Sequence, residues 1–382
     1  MKILIAPDKF KGSLSAREVA KNIAAGLRDV LPGAKVDMMP MADGGEGTAE
    51  VIGDALDSHW VNCAAHDPLG REIDARYAWI EHRKLAIMEM SEAAGMRRLS
   101  GDERDPVRAN TFGVGEMLIA AARRAADQII IGLGGSATND GGFGMARALS
   151  FRFFAGDKEL AGDVSELQKL TRIQAPVAAA VPAAMSSLQA TRLPLQEKII
   201  AAVDVRNPLL GRNGATQIFG RQKGASEEKI DMLERALTRF ADIVARDLKV
   251  DCREEPGAGA AGGLGFGLMS FCGAGIRPGF DVVAEAVKLE AKMKDVDVII
   301  TGEGSLDRQT LEGKTPAGVA QLGRKLGKRV FAIVGRASKD RQVQDIFDGV
   351  YVLAQPGMNE KENMARAAEF LRKKARELAK KL

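Results

Sequence analysis

Ile129-Ile130-Ile131 runs directly into Gly132-Leu133-Gly134-Gly135-Ser136-Ala137-Thr138-Asn139-Asp140-Gly141-Gly142. Three β-branched residues predict a buried strand. Glycines and small polar residues then turn the chain, and a helical pattern begins near Phe143. Glycine lets the backbone adopt φ > 0 and approach another group closely. A helix start behind such a loop offers unpaired N–H groups and the positive end of the helix dipole. The combination predicts an anion site, most often for phosphate. A plain strand-to-helix turn would need fewer glycines, so the phosphate reading is preferred.

At 382 residues the chain has room for two domains. Its 42 glycines are well above the usual ~7%, and the excess sits in discrete loops behind apolar runs. The net charge of +4 says little about partners. Asn359 to Leu382 carries eight Lys and Arg against four Glu, which accounts for the whole excess. Met364, Ala367, Leu371, Ala375, Leu378 and Leu382 recur there at helical spacing, predicting an amphipathic helix with a solvated basic face. A nucleic-acid groove would need stacking aromatics, and that segment has only Phe370. Cys63, Cys252 and Cys272 are scattered, which suits a reducing compartment. No apolar run approaches ~18 residues and no signal-peptide pattern opens the chain. A cytoplasmic protein without membrane or nucleic-acid partners is expected, with a homodimer left open.

Both ends read as α/β. Ile3-Leu4-Ile5-Ala6 is a strand, Ser15-Ala16-Arg17-Glu18 a capping box, and Val19, Ile23, Leu27 and Val30 one helix face. Val36 to Met41 gives a second strand. Val296–Ile300, Val330–Val334 and Val350–Leu353 repeat the pattern, with helices expected near Pro316–Leu326 and Lys339–Phe347. Neither end alone has enough strands. The expectation is therefore an α/β protein of two α/β domains. Residues 1–60 and 280–382 form a discontinuous, doubly wound parallel sheet, and residues 61–279 an inserted α/β domain with the glycine loop. In that insert Gly113–Ala126 reads as a helix, Ile199–Val203 as a strand, and Ser226 as the cap of a helix through Val244.

Ligands of open α/β sheets bind beyond the carboxyl ends of strands, which singles out five loops. Lys9 and Lys11 in Pro7–Ser13 suit a phosphate or a substrate carboxylate, or are two surface lysines. Asp43 and Glu46 in Ala42–Thr48 suit proton transfer or helix capping. Asp204 behind Val203 suits Mg²⁺, or an Asx turn before Pro208. Thr301–Asp307 leads to Gly313-Lys314-Thr315, which departs from a P-loop because Arg308 stands where glycine is needed. Lys314 can still meet phosphate beside a helix start.

Gly257–Gly263 matches GxGxxG, and Gly132-Leu133-Gly134 with Ala137 matches GxGxxA. These support a rival, an NAD-dependent dehydrogenase, although no strand precedes the first match. A non-catalytic binder of a phosphorylated metabolite is a third reading. With three histidines, no GxSxG elbow and no zinc spacing, acyl transfer and zinc chemistry fall away. Phosphoryl transfer remains, since it needs positioning, positive groups and Mg²⁺.

Taken in order, several blocks resemble one family. They are Ala6–Leu14, Ala42–Thr48, Asp67-Pro68-Leu69-Gly70-Arg71, Gly134–Gly142, Asp204–Gly211, Phe219–Ala225, Pro256–Gly265 and Thr301–Lys314. Together they are similar to the bacterial type-1 glycerate kinase family, which has no P-loop. The resemblance implies phosphorylation of D-glycerate with ATP and Mg²⁺, giving 2-phosphoglycerate, in a two-domain α/β enzyme with its site in the cleft between the domains. Arg221 and the segment Arg108–Thr111 depart from the family pattern and bear on substrate preference. Residue chemistry assigns the roles. Asp43 and Lys314 are expected to be catalytic, and Lys9, Lys11, Glu46 and Arg71 to contact substrate. Gly134, Gly135, Ser136, Thr138 and Asn139 are expected at the nucleotide phosphates, with Asp204 and Asp307, on loops at the same sheet ends, as Mg²⁺ ligands.

Overall fold

The computed structural model describes residues 1–176 and 198–382. Most of the Ala/Pro-rich run from Ala175 to Ala184 lies outside the described residues. The chain opens with β1 (Lys2–Ile5), α1 (Ala16–Arg28), β2 (Lys35–Met38) and α2 (Thr48–Ala55). Next come β3 (His59–His66), β4 (Glu72–Ile80), β5 (Leu85–Glu89), α3 (Phe112–Arg123), β6 (Gln128–Gly132) and α4 (Phe143–Ala148). Then follow β7 (Ile199–Val203), α5 (Glu227–Leu248), α6 (Ala260–Cys272) and β8 (Gly275–Pro278). The last part holds β9 (Val298–Thr301), α7 (Thr315–Lys325), β10 (Arg329–Val334), β11 (Gly349–Val352) and α8 (Ala367–Ala379).

Two compact units result. One contains Met1–Asp43, Glu50–Leu56 and Pro278–Leu382; the other contains Gly44–Ala49 and Asp57–Arg277. The border therefore differs from a single break near residue 60, because Gly44–Ala49 belongs with the inserted unit.

The first unit is a doubly wound sheet in the order β11-β10-β9-β1-β2, with every adjacent pair parallel. Its inner strands are apolar on both faces, as a sheet covered on both sides requires. Ile3, Ile5, Val298, Ile300 and Ile333 pack against Val19, Ile23 and Leu27 of α1 and Phe370, Leu371 and Leu378 of α8. On the opposite face α7 comes so close that a Cβ on Gly323 would meet Val330 at 2.4 Å. α1 begins where Ser15 accepts from Glu18 N–H and Glu18 reaches back to Ser15 N–H. The basic C-terminal segment does form an amphipathic helix, with Ala367, Phe370, Leu371, Ala375 and Leu378 inward. Near Lys339–Phe347 the structure forms only one turn, Arg341–Gln344.

The second unit carries a mixed sheet in the order β8-β7-β6-β5-β4-β3. β5, β6 and β7 are parallel, while β4 runs antiparallel to both β5 and β3. A separate aromatic cluster of Phe143, Phe153, Phe240 and Phe266 forms under α5. That helix is capped by Ser226, whose Oγ accepts from Lys229 N–H. Among the described residues no helix is long and apolar enough to cross a membrane.

Gly26 shows how tightly α1 and α8 meet. A Cβ there would stand 2.4 Å from Arg372 O and 2.7 Å from Ala375 Cβ. Alanine is the better helix former by about 1 kcal/mol, yet the helices would have to part. Gly26→Ala is expected to lower stability by about 1–3 kcal/mol, read as a lower urea midpoint. An unchanged or higher midpoint would contradict this close packing.

Candidate active site

In the first unit, successive parallel strands are added on one side of β1 as β2 and on the other as β9, β10 and β11. The switch lies between β1 and β9, where the crevice of such a sheet opens. The loops leaving these strands are tied together by Asp8 N–H donating to Gly302 O at 2.8 Å. Two buried acids stand there, Asp8 and Glu303. Asp8 Oδ2 accepts from Thr315 Oγ1 at 2.6 Å and its Oδ1 from Lys9 N–H at 2.6 Å. Burial, and then the negative charge of Asp43, hold the Asp8 carboxyl well above the ordinary carboxylate range, against the lowering effect of those two bonds. Glu303 Oε1 accepts from Thr310 Oγ1 at 2.7 Å. Burial pushes Glu303 up to about 7, with Asp307 and Asp43 adding to the rise and Lys314 opposing it. Lys314 directly precedes α7, and Pro316 lies in that helix's first turn, as expected for a missing N–H. Asp43, Asp307, Lys314 and Lys9 thus gather around Asp8 and Glu303, while Lys11 is exposed.

In the second unit the two glycine loops stack on one another. A Cβ on Gly132 would meet Gly44 O at 2.6 Å, one on Gly134 would meet Gly45 Cα at 2.5 Å, and one on Gly135 would meet Glu46 Oε1 at 2.5 Å. Loop-on-loop packing therefore requires these glycines, which the sequence reading attributed to ligand approach. Glu89, at the carboxyl end of β5, fixes the arrangement: its Oε1 accepts from Gly47 N–H at 2.8 Å and Ala49 N–H at 3.1 Å. Glu89 thus holds two N–H groups at the start of α2.

The remainder of the Gly132–Gly142 loop divides in two. Thr138, Asn139 and Asp140 are fully enclosed. Ser136 Oγ lies 3.1 Å from Thr138 Oγ1, and Asn139 Nδ2 donates to Thr216 Oγ1 at 2.9 Å. Asp140 accepts from Thr111 Oγ1 and from the N–H groups of Thr111, Gly142 and Gly144. The side chains of Ser136, Thr138 and Asn139 thus build the loop, in place of facing outward to phosphate. Gly134 and Gly135 are half-exposed. Among the described residues, the N–H groups of Gly134, Gly135 and Ser136 have no acceptor, whereas those of Leu133 and Ala137 are used. Lys223 is buried behind the loop, with Nζ donating to Thr138 O at 2.6 Å, and burial pushes its amine down to about 7.

Other expected residues lie elsewhere. Arg71 binds buried Asp67 and donates Nη1 to Glu103 Oε1 at 2.7 Å, so it holds a turn together. Asp204 is exposed at the end of β7 in the second unit's sheet, whereas Asp307 belongs to the first unit. The expectation that both face the ends of one sheet is corrected: the strands that precede them, Ile199–Val203 and Val298–Thr301, belong to different sheets. Gly257–Gly263 follows no strand, and a Cβ on Gly262 would strike Thr138 O at 1.9 Å, which removes the dinucleotide-fingerprint context. Arg221 forms an exposed ion pair with Glu227 at 2.8 Å.

Asp8, Glu303, Glu89 and Lys223 were not singled out from the sequence. Asp8 and Glu303 stand within loops that were, directly behind strands, and that position was the available signal.

These units define an α/β enzyme with its acids at a switch point. Residues 3–382 match the model of the glycerate kinase family. A glycerate kinase of Halalkalibacterium halodurans is 39% identical over 99% of this chain and 97% of its own length. The glycerate 2-kinase of Escherichia coli K12 is 41% identical over 89% of this chain and 86% of its own. A solved structure from Salmonella typhimurium LT2 that carries the name glycerate kinase 2 superposes with a TM-score of 0.83 at 39% identity, over 100% of this chain and 98% of that one. The chain is an enzyme of the phosphotransferase class. It belongs to the glycerate kinase family.

The raised Asp8 carboxyl makes stability pH-dependent in a defined direction. Its folded pKa exceeds the unfolded value of 3.8, so the folded state binds more protons above that pH. Stability is then lost as pH rises toward the folded value. Asp8→Asn, which cannot ionise, is expected to melt higher than the parent at pH 8, with the gap shrinking toward pH 4. A gap that stays constant across this range would contradict the assignment.

Proposed function

We propose that this enzyme transfers the γ-phosphoryl group of ATP to a hydroxyl of D-glycerate in the presence of Mg²⁺, giving 2-phosphoglycerate and ADP. The observation that carries the substrate is the 41% identity to a glycerate 2-kinase across most of both chains. The residues present suit both groups. Three successive N–H groups without acceptors at Gly134–Ser136 offer an anion cradle. Among the described residues no group of three His, Cys, Asp or Glu could hold a metal unaided. That suits Mg²⁺, which commonly takes one or two carboxylates and leaves the rest to phosphate and water. Bound MgATP supplies the transferable phosphoryl group and neutralises part of its charge.

In this reading Gly134, Gly135 and Ser136 receive phosphate through the backbone, and Lys223 keeps the loop in shape from behind. Asp204 and Asp307 are each oxygen ligands for Mg²⁺. Lys314, before the N-terminus of α7, binds phosphate, and Lys9 the substrate carboxylate. Lys11 and Glu46 are further substrate contacts; Arg71 acts through the turn it braces. Asp43 accepts the hydroxyl proton, and Asp8, held protonated by burial and by Asp43, keeps the local charge from doubling.

The test is direct. Purified protein with ATP, Mg²⁺ and D-glycerate should form ADP, and phosphorus NMR of the product should show a phosphate ester at carbon 2. No ADP formation, or NAD-linked oxidation of glycerate instead, would overturn the proposal. Asp43→Asn should lower kcat by ~10²-fold or more with little change in melting temperature; near-normal turnover would exclude the base role. Asp204→Asn and Asp307→Asn, measured separately, should each shift the Mg²⁺ requirement upward by about tenfold or more. A titration superposable on the parent's would remove that residue from the metal site.

A further inference from the structure

β3 is the edge strand of the second unit's sheet, pairing with β4 along all eight of its residues. Its sequence, His-Trp-Val-Asn-Cys-Ala-Ala-His, has no proline and no Lys, Arg, Asp or Glu. Edges that must stay single are usually blunted by such residues or by bulges. His66 N–H donates to Glu116 Oε2 at 2.8 Å, so it points away from β4. The alternation of an antiparallel ladder then sends the N–H and C=O groups of Trp60, Asn62 and Ala64 outward as well.

A groove of about 790 Å³ runs along this edge, with α3 as its wall. Phe112, Glu116, Ile119 and Ala120 are half-exposed along one stripe of that helix, and Arg123 is exposed at its end. α3 lies antiparallel to β3: Glu116 holds His66 at one end of the strand, and Arg124 reaches His59 Nε2 at 3.4 Å at the other. The groove therefore has Glu116, which also meets the His66 ring at 2.9 Å, at its His66 end and Arg123 at its His59 end, where Arg124 is itself paired with Glu81 at 3.6 Å.

We infer that this edge is a homodimer interface, in which β3 of a second copy adds antiparallel to β3 across a two-fold axis near Asn62 and Cys63. A two-fold turns the charge gradient onto itself, so Glu116 of each copy faces Arg123 of the other. It also lays Val61 and Cys63 of each copy beside Ile119 and Ala120 of the other. The interface is isologous, as closed dimers require. A peptide of another protein would satisfy the backbone edge; a second copy satisfies it and also sets Arg123 against Glu116 at both ends.

Sedimentation velocity of the full chain over about 1 to 100 µM tests this. The parent should sediment as a dimer. Asn62→Pro, which removes an outward N–H, should leave a monomer. Glu116→Arg and Arg123→Glu, each alone, should weaken the dimer by about tenfold or more. The double variant Glu116→Arg/Arg123→Glu should restore it to within about threefold, because both contacts are re-formed with reversed sign. Circular dichroism melts confirm that each variant is folded, and the charge variants keep the test decisive if Asn62→Pro is not. A parent monomeric at every concentration, or a dimer indifferent to all of these changes, would overturn the inference.

Discussion

Backbone-to-backbone contact between residues 44–46 and 132–135 organises the second unit. It exists only because Gly132 and Gly134 lack side chains, since a Cβ at either would lie within 2.6 Å of main-chain atoms of Gly44 or Gly45. Glu89 then anchors the start of α2 from the end of β5. A short piece of the N-terminal segment is thereby removed from the first unit and fixed beside the strand that carries the half-exposed glycines. Sequence position and structural membership part company at this point, for a steric reason that can be named residue by residue.

Each unit buries side chains that are ordinarily charged. The first encloses two acids at the switch point, each forced toward its neutral form by burial and by neighbouring carboxylates. The second encloses an amine, Lys223, forced toward its neutral form by burial with Asp140 opposing, and also Asp140 itself, whose carboxyl burial raises against its hydrogen bonds. In both units groups that are ordinarily charged are brought toward half-protonation near neutrality. Such groups are costly to a fold and concentrate where proton positions matter.

The sequence made the sheets legible because apolar runs bounded by glycine or proline have few alternatives. β1, β6, β7, β9 and β10 fall close to where the pattern places them, and Ser15 and Ser226 cap as expected. The short turn at Arg341–Gln344 did not extend into a helix; of Lys339–Phe347 only Val343 and Phe347 are buried, so little apolar burial supports one. Loops were legible as locations and less so as roles. Gly132 and Gly134 signal close approach equally well whether the approaching group is a ligand or another loop. Asp8 and Glu303 were overlooked because burial, which sets their chemistry, is a property of the folded chain. Arg71 carried the charge of a substrate contact, but it closes its own turn onto Asp67 and reaches Glu103, 32 residues away, which only the fold brings to it.

The construction of the first unit from both chain ends sets a schedule for synthesis. β1 lies between β2 and β9 in the sheet, and β9 begins at Val298. A ribosome must therefore produce the chain through Thr301 before β1 acquires its neighbour on that side. The intervening segment, which pairs β5 with β6 and β6 with β7, reaches completion first. The opening strand–helix–strand spends that interval as a two-stranded fragment with apolar faces uncovered, a state too small to stand alone.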